Sequence, residues 1–214
     1  DQGRPWASIA EGQPGFVQAP QPQILQLNGQ LAADDPAAAA LRAGSAIGLL
    51  GIELHSRRRN RINGHVLTHA AGLLEIGVEH AFGNCPQYIQ HRDVQINTVD
   101  HQVARPEAQR RSGLDDAART MISQADTFFV ASYIEHADGS RSVDMSHRGG
   151  QAGFVRVDGD CLTIPDFAGN LHFNTLGNLL LNPRAGLLFI DFASGDLLQV
   201  SGRTELILDG PQVK

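Results

Sequence analysis

The chain has 214 residues, 42% of them hydrophobic and 19% charged, with a formal net charge of −6; these values are ordinary for one large or two small globular domains. No segment approaches eighteen consecutive apolar residues, so we expect no membrane span, and the acidic balance gives no reason to expect nucleic-acid binding. The two cysteines, Cys85 and Cys161, form no disulfide framework, which favours a reducing compartment such as the cytoplasm.

The first part of the chain, residues 1–92, predicts strands joined by turns. Apolar and β-branched runs predict strands over 6–10, 23–27, 47–54 and 73–78, and the near-continuous apolar run 47–54 predicts a strand buried on both faces. Asp35 followed by Pro36 is typical of an N-cap and first helical position, so we expect a helix through Arg42.

A cluster of arginines lies in the predicted hairpin after the strand at 47–54, at Arg57, Arg58, Arg59 and Arg61. We favour a solvated hairpin tip for this cluster, and the alternative is a clamp for a phosphate or an anionic partner. His65 and His69 follow in a strand-like pattern, and no third ligand stands at a recognisable spacing, so no metal site is expected.

Residues 82–92 combine a cysteine with a helix-start signal. Pro86 stands at a first helical position and Asn84 is available as the cap, which predicts a short helix here. Cys85 has no neighbouring base in the sequence, so we expect a small buried side chain rather than a nucleophile.

Residues 93–125 are predicted to be a polar linker that ends in a short amphipathic helix, Leu114 to Gln124. The second part, residues 126–214, then predicts strands over 127–134, 143–148, 153–157 and 161–164, with a tight turn at Asp158-Gly159 and a helix over 171–181.

The two parts share residues at a constant spacing. Gly15 and Gly153, like Gly48 and Gly186, stand 138 residues apart within similar surroundings, and further matches follow at the same offset. We interpret the offset as an internal duplication, the alternative being shared composition in two β-rich halves. In the second part a strand (127–134) precedes the matched region, and no counterpart precedes Asp1, so we expect the first copy to lack its N-terminal strand.

The region 141–183 has the pattern of a ligand site. Its first strand alternates between two faces, with Val143, Met145 and His147 on one. Gly149-Gly150 then leaves backbone without side chains, which would give room to a flat ligand. The predicted helix start after Gly169 offers free N–H groups to a phosphate.

These segments resemble a known family. The segments SHRGG, GFVRV, IPDFAGN and NPRAGLLFID, within residues 126–208, are similar to the FMN-binding split-barrel family, the pyridoxamine 5′-phosphate oxidase-like proteins. The resemblance implies a mainly β fold with short helices, in which two tandem split β-barrel units form a pseudo-dimer with FMN in the seam. The chain departs from many relatives at Leu171, where they carry an arginine after the Gly-Asn pair.

The resemblance also implies a set of FMN-binding residues, drawn mainly from the second copy. There they are Ser146, His147, Arg148, Gly149, Gly150, Asp166, Gly169, Asn170, Phe173, Asn174 and Thr175. From the first copy, across the seam, we expect Asn84, Cys85, Gln87 and Tyr88. We expect a single site, because the first copy has Ala10 and Glu11 where the second has Arg148 and Gly149.

Two functions remain open from the sequence. One is an FMN-dependent oxidoreductase or electron-transfer module, with a small-molecule substrate or an electron donor such as NAD(P)H or a reductase domain. The other is a non-catalytic module that binds or stores flavin, or a related cofactor such as haem or a deazaflavin. A homodimer is compatible with either function, and the end at Lys214 is compatible with a longer parent protein.

Overall fold

The chain folds mainly into antiparallel β-structure with short helices, as the alternating apolar segments predict. The computed structural model describes residues 3–29, 31–32, 34–70, 72–93, 107–169 and 173–210. No helix within these ranges is long and apolar enough to cross a membrane.

The first part of the chain forms a five-stranded antiparallel sheet in the order β1-β2-β5-β4-β3. Its strands are β1 (Val17–Gln21), β2 (Ile24–Leu27), β3 (Ala46–Glu53), β4 (Arg58–Ala70) and β5 (Leu73–Gly83). A 3-10 turn, Ala38–Ala40, lies between β2 and β3. Leu27, Val66, Leu74 and Ile76 form the small core of this sheet.

The second part forms a four-stranded antiparallel sheet, in the order β11-β10-β6-β7, and a separate hairpin of β8 with β9. Its elements are α1 (Asp116–Gln124), β6 (Thr127–Glu135), β7 (Arg141–Gly149), β8 (Arg156–Asp158), β9 (Cys161–Thr163), α2 (Asn174–Leu181), β10 (Arg184–Ile190) and β11 (Leu197–Arg203). A larger core, centred on Phe128, Val130, Leu187 and Phe189, fills the space between the sheet and its helices.

The two sheets meet where β3 lies against β7. A side chain at Gly48 would come within 3.2 Å of the backbone nitrogen of Met145, so the two strands approach almost backbone to backbone. A shared apolar cluster, built on Ala7, Phe129 and Leu188, also takes in Leu50 of β3. This junction therefore has its own small core, and it positions the site described below.

The order of strands β1 to β4 recurs in β8 to β11 near the 138-residue offset. Ala46 pairs with His65 in the β3–β4 ladder, and Arg184 pairs with Arg203 in the β10–β11 ladder, so both the strands and their register coincide at this spacing. Gly15 and Gly153, which the same offset relates, both have left-handed backbones, with φ of 89° and 84°.

The β3–β4 turn and its counterpart both contain a residue with a left-handed backbone, but the identity of that residue differs. Gly195 has a left-handed φ of 84° at the position where the β3–β4 turn has Arg57, with a φ of 55°. A side chain with a Cβ is strained in this region, whereas glycine is not. The first part therefore keeps an arginine at a backbone position that suits glycine.

The predicted strand at 6–10 is wrong. Segment 3–8 lies across the second sheet, where side chains of that sheet satisfy its backbone: the Tyr133 hydroxyl donates to the Gly3 carbonyl (2.7 Å) and Gln199 Nε2 donates to the Ala7 carbonyl (2.9 Å). Pro5 occupies the space beside Gly186. Because side chains provide these bonds, the segment joins no ladder.

Three further predictions need correction. Asp35 caps the backbone N–H of Ala37 as expected, but only the 3-10 turn Ala38–Ala40 forms. No residue of this turn is buried, so no packing energy offsets the free-energy cost of helix nucleation. Strand β3 is half-buried rather than buried on both faces, since it is an edge strand of its sheet. Strand β8 begins at Arg156, three residues late, because Gly153 belongs to the preceding turn.

Candidate functional site

A cleft opens at the junction of the two sheets. From the first part it is lined by the β4 arginines and by the segment that follows β5: Arg59, Arg61, Asn84, Cys85, Gln87 and Tyr88. From the second part it is lined by the end of β7 and the loops after it: His147, Arg148, Gly149, Phe154, Pro165, Asp166, Phe167 and Gly169. The site is therefore composite, and neither part forms it alone.

Arg59 is the unusual cation of this cleft. Its Nε donates to the carbonyl oxygen of Cys85 (3.1 Å), and its Nη1 lies 3.2 Å from Nδ1 of His147. No carboxylate of the described residues lies within ion-pair distance of it. Burial, together with the neighbouring charges of Arg61 and Arg148, lowers the pKa of Arg59 to about 10. The group remains a cation at neutral pH, and no carboxylate within the described ranges balances its charge.

His147 is a neutral imidazole in the wall of the same cleft. Burial lowers its pKa to about 3, and the nearby charges of Arg59 and Arg148 act in the same direction. Because a guanidinium can only donate, Nδ1 of His147 accepts from Arg59, and the ring proton lies on Nε2. Among the described residues this buried Nε2 has no acceptor.

Arg61 and Asp144 form a buried ion pair between the two sheets. Nη1 of Arg61 donates to both carboxylate oxygens of Asp144 (3.1 and 3.2 Å), and Nη2 donates to the Ser146 hydroxyl. Thr175, on the first turn of α2, donates to the same carboxylate at 3.0 Å. This network fixes β4 against β7 and α2, directly beneath the cleft.

Arg148 has a partner at the mouth of the cleft. Its Nη2 lies 3.4 Å from Oδ1 of Asp166, and both side chains are partly exposed. Burial lowers the pKa of Arg148, and the Asp166 carboxylate opposes that effect. The charge of Arg148 is therefore largely balanced within the chain, unlike that of Arg59.

The predicted helix at Pro86 is wrong. A single turn forms, in which the Ile89 N–H donates to the Pro86 carbonyl (3.2 Å), and the chain then departs from helical geometry because Tyr88 takes a left-handed φ of 66°. A tyrosine in this region is strained, and such strain often lies at binding sites. Cys85 is exposed in this irregular segment, contrary to the prediction of a buried side chain.

The space beside the two glycines is filled by the chain itself. A side chain at Gly149 would overlap the carbonyl oxygen of Tyr88, and one at Gly150 would overlap the Phe154 ring. Gly149 therefore allows the segment after β5 to cross β7, and Gly150 makes room for the Phe154 ring, so the two glycines do not leave the open slot for a flat ligand that the sequence suggested.

An aromatic wall closes one side of the cleft. The rings of Tyr88 and Phe167 lie 5.3 Å apart and that of Phe154 lies 6.2 Å from Phe167. Tyr88 and Phe167 remain 36% and 41% exposed, and the Tyr88 hydroxyl donates to the Ala168 carbonyl at 2.7 Å. Two partly exposed rings beside an unbalanced cation are an arrangement suited to a planar anion.

Several predicted site residues lie outside the cleft lining. Ser146 and Thr175 are buried beneath it, in the network of Arg61. Gly150 packs on Phe154, whereas Phe173 and Asn174 are exposed at the start of α2. Asn170 lies outside the described residues, so its position stays a prediction.

The arginine cluster gave a mixed outcome. Arg57 and Arg58 are exposed at the hairpin tip, as predicted, whereas Arg59 and Arg61 turn inward and line the cleft. The alternation of side chains along β4 indicates this difference in orientation, because residues 59 and 61 lie on one face of the strand and residue 58 lies on the other. No group of three or more His, Cys, Asp or Glu within the described ranges is arranged to hold a metal ion.

No family model matches this chain, and neither curated proteins nor solved structures gave a significant match. The case for a function therefore depends on the geometry of the cleft.

Proposed function

We propose that the chain binds FMN in this cleft and acts as a flavoprotein of the pyridoxamine 5′-phosphate oxidase-like type, in oxidoreduction or electron transfer. The observation that carries the proposal is Arg59, a largely buried cation in an arginine-rich cleft, without a carboxylate partner among the described residues. A buried charge is costly unless it is paired, and a phosphate supplies both charge and hydrogen-bond acceptors.

The balance of charge in the cleft favours an anionic ligand. Arg61 is paired with Asp144 and Arg148 with Asp166, so these two pairs contribute little net charge. Arg59 adds one positive charge, and the neutral His147 leaves this balance of charge unchanged. We assign the phosphate to Arg59, with Arg148, which lines the same cleft, as the second cation available to it.

The aromatic wall suits the planar part of the same ligand. Tyr88 and Phe167 present partly exposed rings to the cleft, and covering them with a flat heteroaromatic group would bury apolar surface on both partners. FMN supplies redox chemistry when bound. The role of this chain is to hold the phosphate, to cover one face of the flavin ring and to exclude water from that face.

The two-copy architecture is supported by backbone geometry. The ladders β3–β4 and β10–β11 share one register at the 138-residue offset, and the cleft lies where the two copies meet. Two tandem split β-barrel units with a cofactor in their seam are the arrangement that the resemblance implies.

The decisive experiment is a titration of the ligand-free protein with FMN and with riboflavin, which lacks the phosphate. We expect Arg59→Gln to weaken FMN binding by about 1.5–3 kcal/mol, the range for a charged hydrogen bond, and to change riboflavin binding far less. The matched control is Arg58→Gln, which alters the exposed neighbour and should stay within about 0.5 kcal/mol. No saturable binding of FMN, or an unchanged affinity in Arg59→Gln, would refute the assignment.

A reduction assay separates the redox function from a module that only binds or stores flavin. We expect bound FMN to be bleached by NAD(P)H or by an added ferredoxin-reductase-type donor. Reduction by dithionite alone, with every physiological donor inactive, would favour the storage module.

A further inference from the structure

We propose that Cys85 is a modification site of the cleft, at which an anionic disulfide forms a mixed disulfide and closes the cleft to its ligand. The closure part rests on the proposed FMN function, whereas the modification itself depends only on Cys85 and its surroundings. The chemical class of the reagent is a disulfide that carries carboxylates, and oxidised glutathione is the probe.

Cys85 is exposed and lies in the cleft lining with Arg59 and Arg148. Its own carbonyl oxygen accepts from Nε of Arg59 at 3.1 Å, which fixes this part of the backbone against the arginine. The thiol therefore lies in the electrostatic field of Arg59, which has no carboxylate partner among the described residues, and such a charge concentrates anionic reagents near it.

The cleft wall also contains two donors that lack acceptors. His147 and Arg61 are 2% and 5% exposed, and both line the cleft. Nε2 of His147 and Nε of Arg61 have no hydrogen-bond partner among the described residues. Unsatisfied buried donors are costly, and carboxylate oxygens are the acceptors that a bound anion would bring.

The chemistry is thiol–disulfide exchange, and it needs no further oxidant. The Cys85 thiol releases its proton to solvent, and its sulfur attacks one sulfur of the reagent. The S–S bond of the reagent breaks, a new S–S bond joins Cys85 to one half, and the other half leaves as a thiolate that takes up a proton. Cys85 is oxidised and the departing half is reduced.

The second cysteine provides a control within the same chain. Cys161 is also exposed, but it lies opposite Asp158 in the β8–β9 hairpin and directly follows Asp160. Asp160 is paired with Arg119 at 3.4 Å, so the charges around Cys161 largely balance, and the two thiols should differ in their preference for reagent charge rather than in exposure.

The test compares two single-cysteine variants, Cys161→Ser and Cys85→Ser, with an anionic and a neutral aromatic disulfide. We expect the ratio of rate constants, anionic over neutral, to be at least about 10-fold larger for Cys85 than for Cys161 at low salt, and to fall as salt screens the charges. Arg59→Gln in the Cys161→Ser background should lower the ratio, and Arg148→Gln provides a second test if the first variant does not fold. Equal ratios for the two thiols would overturn the proposal.

Closure is tested with the Cys161→Ser protein after reaction with oxidised glutathione. We expect FMN affinity to fall at least about 10-fold and to return after reduction by dithiothreitol, in line with a blocked anion site. If the unmodified protein does not bind FMN, the proposed function fails and the rate ratio still decides the modification. If the modified protein binds FMN as well as the unmodified one, closure of the cleft is wrong.

Discussion

The ion pair between Arg61 and Asp144 gives the sharpest test of how the two sheets are held together. Arg61 is 5% and Asp144 4% exposed, and the pair forms two hydrogen bonds at 3.1 and 3.2 Å. Replacing Arg61 by Met keeps most of the apolar stem but leaves the Asp144 carboxylate with the Thr175 hydroxyl as its remaining described donor. We expect Arg61→Met to lower the free energy of unfolding by about 3–5 kcal/mol, the cost of an uncompensated buried charge.

A double-mutant cycle isolates the interaction energy between Arg61 and Asp144. Asp144→Leu alone should cost a similar amount, because it leaves the guanidinium unpaired, whereas the double variant removes both charges and should cost much less than the sum of the two. Urea unfolding, followed by circular dichroism and by tryptophan fluorescence from Trp6, measures all four proteins.

The control for this cycle is an exposed ion pair between β6 and β7. Arg141 donates to Glu135 at 2.9 and 3.0 Å, but the two side chains are about half exposed. Arg141→Met should therefore change stability by no more than about 1 kcal/mol. Additive effects of Arg61→Met and Asp144→Leu, or a loss in Arg61→Met no larger than in the control, would refute the argument.

Three other predictions concern the stability of variants at His147, Gly149 and Arg57. Burial holds the pKa of His147 at about 3, below its unfolded value near 6.5. The contribution of His147 to stability is therefore complete above pH 6.5, and the free energy of unfolding falls by about 1.4 kcal/mol for each pH unit below 6.5. His147→Phe should remove this pH dependence and flatten the profile of stability against pH. Gly149→Ala should destabilise the protein by more than about 2 kcal/mol in urea unfolding, because its Cβ would overlap the Tyr88 carbonyl. Arg57→Gly should stabilise it by about 0.5–1 kcal/mol, since Arg57 has a φ of 55° where Gly195 serves the equivalent turn.

Each of these has a matched comparison. Gly51→Ala meets open space and should not reproduce the effect of Gly149→Ala. Arg58→Gly, in a strand, should destabilise rather than stabilise. For His147, unfolding at pH 5–6.5 avoids the range in which carboxylates titrate, and identical slopes for the wild type and His147→Phe would contradict the neutral imidazole.

The regular elements of the second part were largely predictable from sequence. The strand pattern over 127–134, the alternation over 143–148, the Asp158-Gly159 turn and the helix ending at Gln124 all give local signals, and the structure has β6, β7, the β8–β9 hairpin and α1 at these places. A period-two pattern indicates a strand with two different faces, and this indication does not depend on where the partner strand lies in the sequence.

Two of the failures share a physical cause, which is a contact with residues distant in sequence. Segment 3–8 looks like a strand, but Tyr133 and Gln199 satisfy its backbone from more than 100 residues away. The segment after β5 looks like a helix start, but Tyr88 takes a left-handed backbone as the segment crosses Gly149. No local propensity contains such information.

The candidate site was predicted in part for the same reason. The β7 residues and the 84–88 segment were expected together, and the cleft lining brings them together. The inward orientation of Arg59 departs from the favoured hairpin tip, to which the clamp was the alternative, because four arginines in five positions resemble a solvated tip unless the strand register is known.

The composite cleft has a consequence for the folding kinetics of this chain. Arg59 and His147 are separated by 88 residues in sequence, and Arg61 and Asp144 by 83. Contacts of such long range carry a large loop-closure cost and form late in folding. Each sheet is expected to form from neighbouring strands first, and the cleft exists only once the two sheets have docked. Refolding in the presence of FMN would then show secondary structure ahead of ligand capture, with the delay reporting the docking step.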